Sequence, residues 1–407
     1  MFKSKLAWLA YGNISIKIFG FLVFATISKT LPQAEYAKYA YYLLIIGAAL
    51  ELVNSGLFQG IQNEVSRNLS NVKYLKLLIG TSVGLGFLVS TFSALFVILY
   101  ISIADPNANV NGLSLALYIG VSCYIVFSTA YSLMNIIFIG IKDSKQYFCS
   151  VIIQGIFSFA SILLLLVNGF GSPDNILACI GVSYFTGVLF QLKRIRPNFL
   201  INSTVIKKLF SRGKWYALWS FTSIIESRID LYFLSILSTS KEFAIFDVST
   251  KYLVIGQILT STLAQKFLPE ILDSSCEEDK KKQFTVLNRT TQKLVLVNNI
   301  LSIPVALFIF VFYSGEYNES IYCFFILTLA MIFNIRNMNN TAKIISDGEE
   351  YLLFIVMCIV VLIKFPMAWF LIAKFNEIGA SISVVLAQAI SFVLFAYFTK
   401  KLNRKKI

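Results

Sequence analysis

Eight ionisable residues stand inside long apolar runs of this 407-residue chain: Lys17, Glu51, Glu226, Arg228, Asp230, Asp247, Lys251 and Lys364. At the centre of a membrane helix each costs about 2.5–3.5 kcal/mol, so the set is worth on the order of 20 kcal/mol if it faces lipid. Such groups must face a bundle interior, water or one another. Three kinds of chemistry suit them: gripping an anionic headgroup, carrying a proton or sodium ion, or pairing as structural ions.

Spacing separates these uses. Glu226 and Asp230 are four residues apart and share a helical face with Trp219 and Phe233, while Arg228 points roughly 160–200° away. Either the acids line a cavity and Arg228 meets a neighbouring helix, or the reverse; a purely structural ion cluster is the third possibility. Asp247 and Lys251, also four apart, read as a local salt bridge. Lys17 lies on a stripe with Ala10, Asn13, Gly20 and Ser28, which reads as a lumen wall in preference to a small-residue packing face. Glu51 and Lys364 have no local partner, and Lys364 precedes Pro366, where a broken helix would admit water. Four positive and four negative charges cancel, so charge counting alone does not establish an anion pathway.

Other chemistries are poorly served. The chain has no histidine, which removes imidazole relays and zinc sites built on His. Its six cysteines (Cys123, Cys149, Cys179, Cys276, Cys323, Cys358) form no CxxC and read as small apolar residues without disulfide or metal. Gly213-Lys214 lacks the preceding glycine of a P-loop, so transport would be secondary, with no cofactor beyond a coupling proton or sodium ion.

The elements that must hold these charges are membrane helices. Hydrophobic residues make up 57% of the chain and charged residues 14%, with a mean hydropathy of +0.74. A span needs about 20 apolar residues. Twelve spans are predicted, at 6–28, 38–60, 76–101, 113–140, 147–168, 174–192, 215–237, 243–265, 294–313, 320–342, 351–372 and 378–398. The first is read as a retained span, its run being too long for a signal peptide. What remains is short loops, including Glu277–Lys282, read as a solvated loop. The net charge of +14 reads as loops facing anionic lipid, not nucleic acid. Alternate loops and the span edges beside them carry 27 and 4 Lys/Arg, which puts both termini in the cytoplasm. The outer loops (105–112, 168–174, 314–319) are short, which argues against a membrane polymerase or ligase.

The domain plan is an N-terminal six-helix bundle (1–192), a basic cytoplasmic linker (193–214) and a C-terminal six-helix bundle with a basic tail (215–407). Ser28, Glu35, Tyr36, Ala37 and Tyr39 align with Ser235, Glu242, Phe243, Ala244 and Phe246 at a single offset of 207 (242 against 35). Six spans separate the copies, which implies parallel halves related by a pseudo-two-fold axis along the membrane normal, with substrate between them.

Several of these residues also carry a family likeness. They are Gly12-Asn13 and Lys17, then Leu31-Pro-x-x-Glu35-Tyr-Ala-x-Tyr39 and Asn54-Ser-Gly56-Leu57. In the second half they are Arg228-Ile-Asp230, Phe246-Asp-Val-Ser-x-Lys251 and Phe267-Leu-Pro269. In order and spacing the chain resembles the Wzx-type polysaccharide repeat-unit flippases, of the superfamily that includes the MATE drug exporters. Twelve spans fit the O-antigen type better than the fourteen-span lipid II flippases.

The resemblance implies a non-enzymatic secondary transporter in the bacterial inner membrane. It would move oligosaccharide repeat units on undecaprenyl pyrophosphate from the inner to the outer leaflet. Lys17, Arg228 and Lys364 would be the cavity cations for the phosphates, and Glu51, Glu226 and Asp230 the ion-coupling carboxylates. Expected partners are the lipid-linked glycan, membrane lipid, and the polysaccharide polymerase and chain-length regulator, with the protein itself a monomer. The alternative is a MATE-like, ion-coupled exporter of organic cations.

The charge bias generates a topology test. Reporter tags at Ile407 and within 193–214 are expected to report cytoplasm, and tags within 168–174 the outside; an external C-terminus contradicts the twelve-span plan.

Overall fold

A computed structural model describes residues 2–54, 61, 64–65, 68, 71–104, 114–195, 197, 202–253, 256–257, 260, 267, 271, 277–313 and 317–405. Among them every regular element is helical. The helices are α1 (Phe2–Thr30), α2 (Gln33–Asn54), α3 (Val72–Ala104), α4 (Leu115–Gly140), α5 (Ser144–Val167), α6 (Pro173–Ile195), α7 (Ser203–Leu237), α8 (Ser240–Tyr252), α9 (Glu277–Tyr313), α10 (Glu319–Ser346) and α11 (Tyr351–Lys405). Helix α11 turns back at Asn376, whose φ of 48° and ψ of −127° are non-helical, giving arms α11a (351–375) and α11b (377–405). The described residues thus hold twelve helices, as expected. Eight elements (α1, α3–α6, α9–α11) are long and apolar enough to cross a membrane, with α11 long enough to do so twice.

Local chemistry sets the ends. Ser114 and Asp143 cap α4 and α5 by accepting from Leu117 N and Gln146 N. Pro173 opens α6, where its missing N–H is no loss, and Asp174 follows in the first turn. Thr239 and Glu242 form a reciprocal capping box on α8.

Two helices begin earlier than their apolar runs. α7 starts at Ser203 and α9 at Glu277, so the Glu277–Lys282 run is helical and not a loop. Acids at the helix N-terminus followed by lysines suit the dipole, and Asp279 pairs with Lys282 at 3.7 Å.

The chain forms two compact units, Met1–Ile224 and Ile225–Ile407, with the boundary inside α7. Their internal registers repeat. α1 and α7 end at Thr30 and Leu237, α2 and α8 start at Gln33 and Ser240, and α5 and α11 start at Ser144 and Tyr351. Each pair is 207 residues apart. So are Gly169 (φ 77°) and Asn376 (φ 48°), the positive-φ residues of the turn after the fifth helix of each unit. The motif residues Tyr36, Ala37 and Tyr39 are buried, as are Phe243, Ala244 and Phe246.

In the first unit α4 and α6 approach closely. A Cβ on Gly120 would lie 2.8 Å from the backbone N of Ala178, and one on Gly181 would lie 2.8 Å from that of Tyr124. At one end of this unit Ile61, Val65, Leu78, Met134 and Ile137 bury Val205 and Leu209, which anchor the start of α7. In the second unit the Ser249 hydroxyl of α8 donates to the Ser320 carbonyl of α10 at 2.9 Å. There Tyr252, Tyr313 and Tyr317 also stack edge-on or tilted.

The α4–α6 contact generates a stability prediction. Gly181→Leu is expected to cost about 1–3 kcal/mol by overpacking against backbone that cannot yield, seen as a lower melting temperature of the purified protein. An unchanged melting curve contradicts the close approach.

Candidate functional site

The second unit gathers three of the eight intramembrane charges. α7 carries Glu226 and Asp230 one turn apart, and α11a carries Lys364 opposite them. The Lys364 ammonium donates to the Glu226 carbonyl O at 2.5 Å and to Glu226 Oε1 at 3.0 Å, and its Nζ lies 2.6 Å from Asp230 Oδ2. Lys364 and Asp230 are each 1% exposed and Glu226 6%. Ser383 on α11b is buried beside Asp230. One turn further along α7, Phe233 packs on Phe365 (5.0 Å) and Trp369 (5.2 Å).

This placement corrects the expectation for Lys364. The helix runs unbroken through Pro366, so no gap opens to water there. The ammonium expected to meet phosphate is instead enclosed by oxygens of α7. The two acids and the lysine, assigned on sequence to separate tasks, form one cluster. Its formal charge is −1, two carboxylates against one ammonium. A buried net charge is costly, so its balance matters.

The other candidates lie elsewhere. Arg228 is partly buried on α7, and the helical wheel turns it away from Lys364. Asp247 and Lys251 form the i,i+4 pair expected on α8, at 3.4 Å. Lys17 on α1 and Glu51 on α2 belong to the first unit and are partly buried. Among the described residues no carboxylate and no hydrogen-bond acceptor meets Lys17. Cys123, Cys149, Cys179, Cys323 and Cys358 are free thiols, and Cys276 lies outside the described residues.

The same first-to-fifth helix contact exists in the first unit with different chemistry. Phe19 covers Gly155, and the Tyr147 hydroxyl donates to Asn13 Oδ1 at 2.6 Å. At the 207 offset, Glu226, Asp230 and Lys364 correspond to the apolar residues Phe19, Val23 and Phe157. The fold therefore closes this contact without ions, and the second unit's cluster is an addition to it.

Beside the ionisable residues the protein buries a neutral network. In the first unit Gln191 Nε2 donates to Asn135 Oδ1 (2.7 Å) and Ser150 Oγ (3.0 Å), and Ser150 donates to Asn135 Oδ1 (2.8 Å). All three are buried. The signal available was the three polar residues themselves, placed near one end of spans 4, 5 and 6.

Charge balance generates a test. Lys364→Met leaves two buried carboxylates unpaired and is expected to cost about 3–5 kcal/mol. Asp230→Asn leaves a neutral pair and is expected to cost far less. Melting temperatures of the two purified variants check this; equal losses contradict the charge count.

Comparison with known proteins extends the picture. The model of the family described as polysaccharide biosynthesis protein matches residues 2–272. The capsular polysaccharide biosynthesis protein CapF of Staphylococcus aureus is 23% identical over 163 residues, spanning 39% of this chain and 41% of CapF. The fold is that of MATE transporters. A mutant of the Vibrio cholerae MATE transporter VcmN superposes with a TM-score of 0.71 at 12% identity, covering 99% of this chain and 96% of that one. A MOP-superfamily transporter from Pyrococcus furiosus gives 0.67 at 12% identity, over 98% and 94%. With more than half its length matched by that model, this multi-pass membrane protein belongs to the polysaccharide biosynthesis protein family.

Proposed function

We propose that the protein is a flippase that moves polyprenyl-diphosphate-linked oligosaccharide repeat units from the inner to the outer leaflet of the bacterial cytoplasmic membrane. It works by alternating access, coupled to an ion, with both termini in the cytoplasm. One observation carries the reading: a chain of a polysaccharide biosynthesis family has the fold of MATE transporters. Transport is the step of polysaccharide assembly that such a fold suits, because the glycan lipid is assembled on one side and used on the other.

The physical problem is to carry a diphosphate and a hydrated glycan through hydrocarbon while the polyprenyl tail stays in lipid. Cations supply the electrostatic part. Lys17 and Arg228 are the residues for this role. Lys17 meets no carboxylate among the described residues, and Arg228 offers a planar fork that matches phosphate oxygens. Lys364 is already held by Glu226 and Asp230, so the cluster serves coupling and not the headgroup. The fold likeness to MATE transporters also suits an exporter of organic cations, and the two readings differ in cargo.

Deleting the gene is expected to abolish surface polysaccharide while lipid-linked repeat units collect on the inner leaflet. Complementation with Lys17→Met is expected to restore little. If units reach the outer leaflet in the deletion strain and only chain length falls, the protein is a polymerase or chain-length partner. If polysaccharide is intact and resistance to organic cations falls, it is an exporter.

A further inference from the structure

We propose that Asp230, Glu226 and Lys364 form a proton-binding site with a built-in cation, holding one exchangeable proton on Asp230 and excluding sodium. This deepens the flippase reading, since it names the coupling ion that reading leaves open.

Charge favours one bound proton. The cluster holds two carboxylates and one ammonium, almost without exposure. The charges that act most strongly on Asp230 and Lys364 are each other's and that of Glu226. α7 contributes Glu226 and Asp230, α11a contributes Lys364 and α11b the neutral Ser383. Arg228 projects from the other face of α7, and Asp247 and Lys251 of α8 pair with each other. A lone buried negative charge is strongly unfavourable, and groups in that position neutralise instead. One proton on a carboxylate cancels the charge; a second cation is not needed.

The arrangement of the oxygens also suits a proton. Lys364 occupies Glu226 Oε1 and approaches Asp230 Oδ2, but Asp230 Oδ1 is buried and has no hydrogen-bond partner. The Ser383 hydroxyl, equally buried, stands beside the Asp230 carboxyl without a well-aligned hydrogen bond. A protonated Asp230 can donate to an oxygen there, which matches this pair of atoms. Sodium asks for a cage of oxygens around an empty centre. Here the centre is filled: the ammonium sits 2.5–3.0 Å from three oxygens, and a second cation beside it would be repelled in a poorly screened site.

The repeat sets the cluster apart from the scaffold. The first unit makes the same helix contact with Phe19 on Gly155, so folding does not demand these ions. Their presence suits a group that changes charge. The step is a simple transfer. Water on one side gives a proton to the Asp230 carboxylate, and the acid returns it to water on the other side when the cluster opens there.

The test uses the full-length protein in lipid nanodiscs with no glycan lipid, so it does not depend on the cargo. Infrared spectroscopy of the wild type at neutral pH is expected to show the C=O stretch of a protonated carboxylic acid, lost in Asp230→Asn. Thermal stability of the wild type is expected to be the same in sodium chloride and in choline chloride. Lys364→Ala, by emptying the oxygen cage, is expected to become stabilised by sodium. If that variant does not fold, the wild-type spectra and salt comparison still decide. Absence of the acid band, its persistence in Asp230→Asn, or stabilisation of the wild type by sodium overturns the proposal. A protein that shows the band but carries organic cations overturns the flippase reading and leaves this one standing.

Discussion

A charge buried in hydrocarbon has to be answered by something nearby, and in this protein the answer is Lys364 set between Glu226 and Asp230. The three side chains come from α7 and α11a, 138 residues apart along the chain for Glu226 and Lys364. Their burial requires α7 and α11a to pack closely, and the edge-on contacts of Phe233 with Phe365 and Trp369 provide the packing. Ser383 brings α11b to the same point, and that depends on the reversal of the chain at Asn376. There Asn376 Nδ2 donates to Glu242 Oε1, the acid that also caps α8. Much of the second unit is thus organised around one cluster that is neutral only if it takes up a proton.

The two units show that the scaffold and the cluster are separable. The helix ends and positive-φ turns recur at the same spacing in both, so the repeat fixes backbone geometry. The fillings differ. In the first unit a phenylalanine lies over a glycine where the second unit places three ions, and the buried polar groups of α4, α5 and α6 are amides and hydroxyls. Neutral hydrogen-bonded groups cost little to bury when satisfied, whereas charges must be balanced. Of the two, the second unit is the one that buries a lysine against two carboxylates.

How much was legible follows from the range of each interaction. Apolar runs long enough to span reveal themselves, and all twelve predicted spans overlap observed helices. The Asp247–Lys251 pair was legible because its partners are one helical turn apart. The first turns of α7 and α9 were not, because they are polar and extend beyond the apolar run that marks a span. Lys364 was identified as a costly charge, but its partners lie on another helix, and nothing in the residues around position 364 points to α7. The neutral network of Asn135, Ser150 and Gln191 was passed over for a different reason. Uncharged residues are tolerated in a span, so they raise no alarm in a search based on cost.

The family places the chain in polysaccharide assembly and the fold makes it resemble transporters, so the central claim concerns cargo. Reconstitution measures it most directly. Purified protein is placed in vesicles whose inner leaflet holds a polyprenyl-diphosphate-linked oligosaccharide, and the glycan reaching the outer leaflet is followed with an external glycosidase. The account predicts protein-dependent exposure of the glycan that responds to a pH gradient and not to a sodium gradient. Vesicles that leave the glycan inside while transporting organic cations would contradict it.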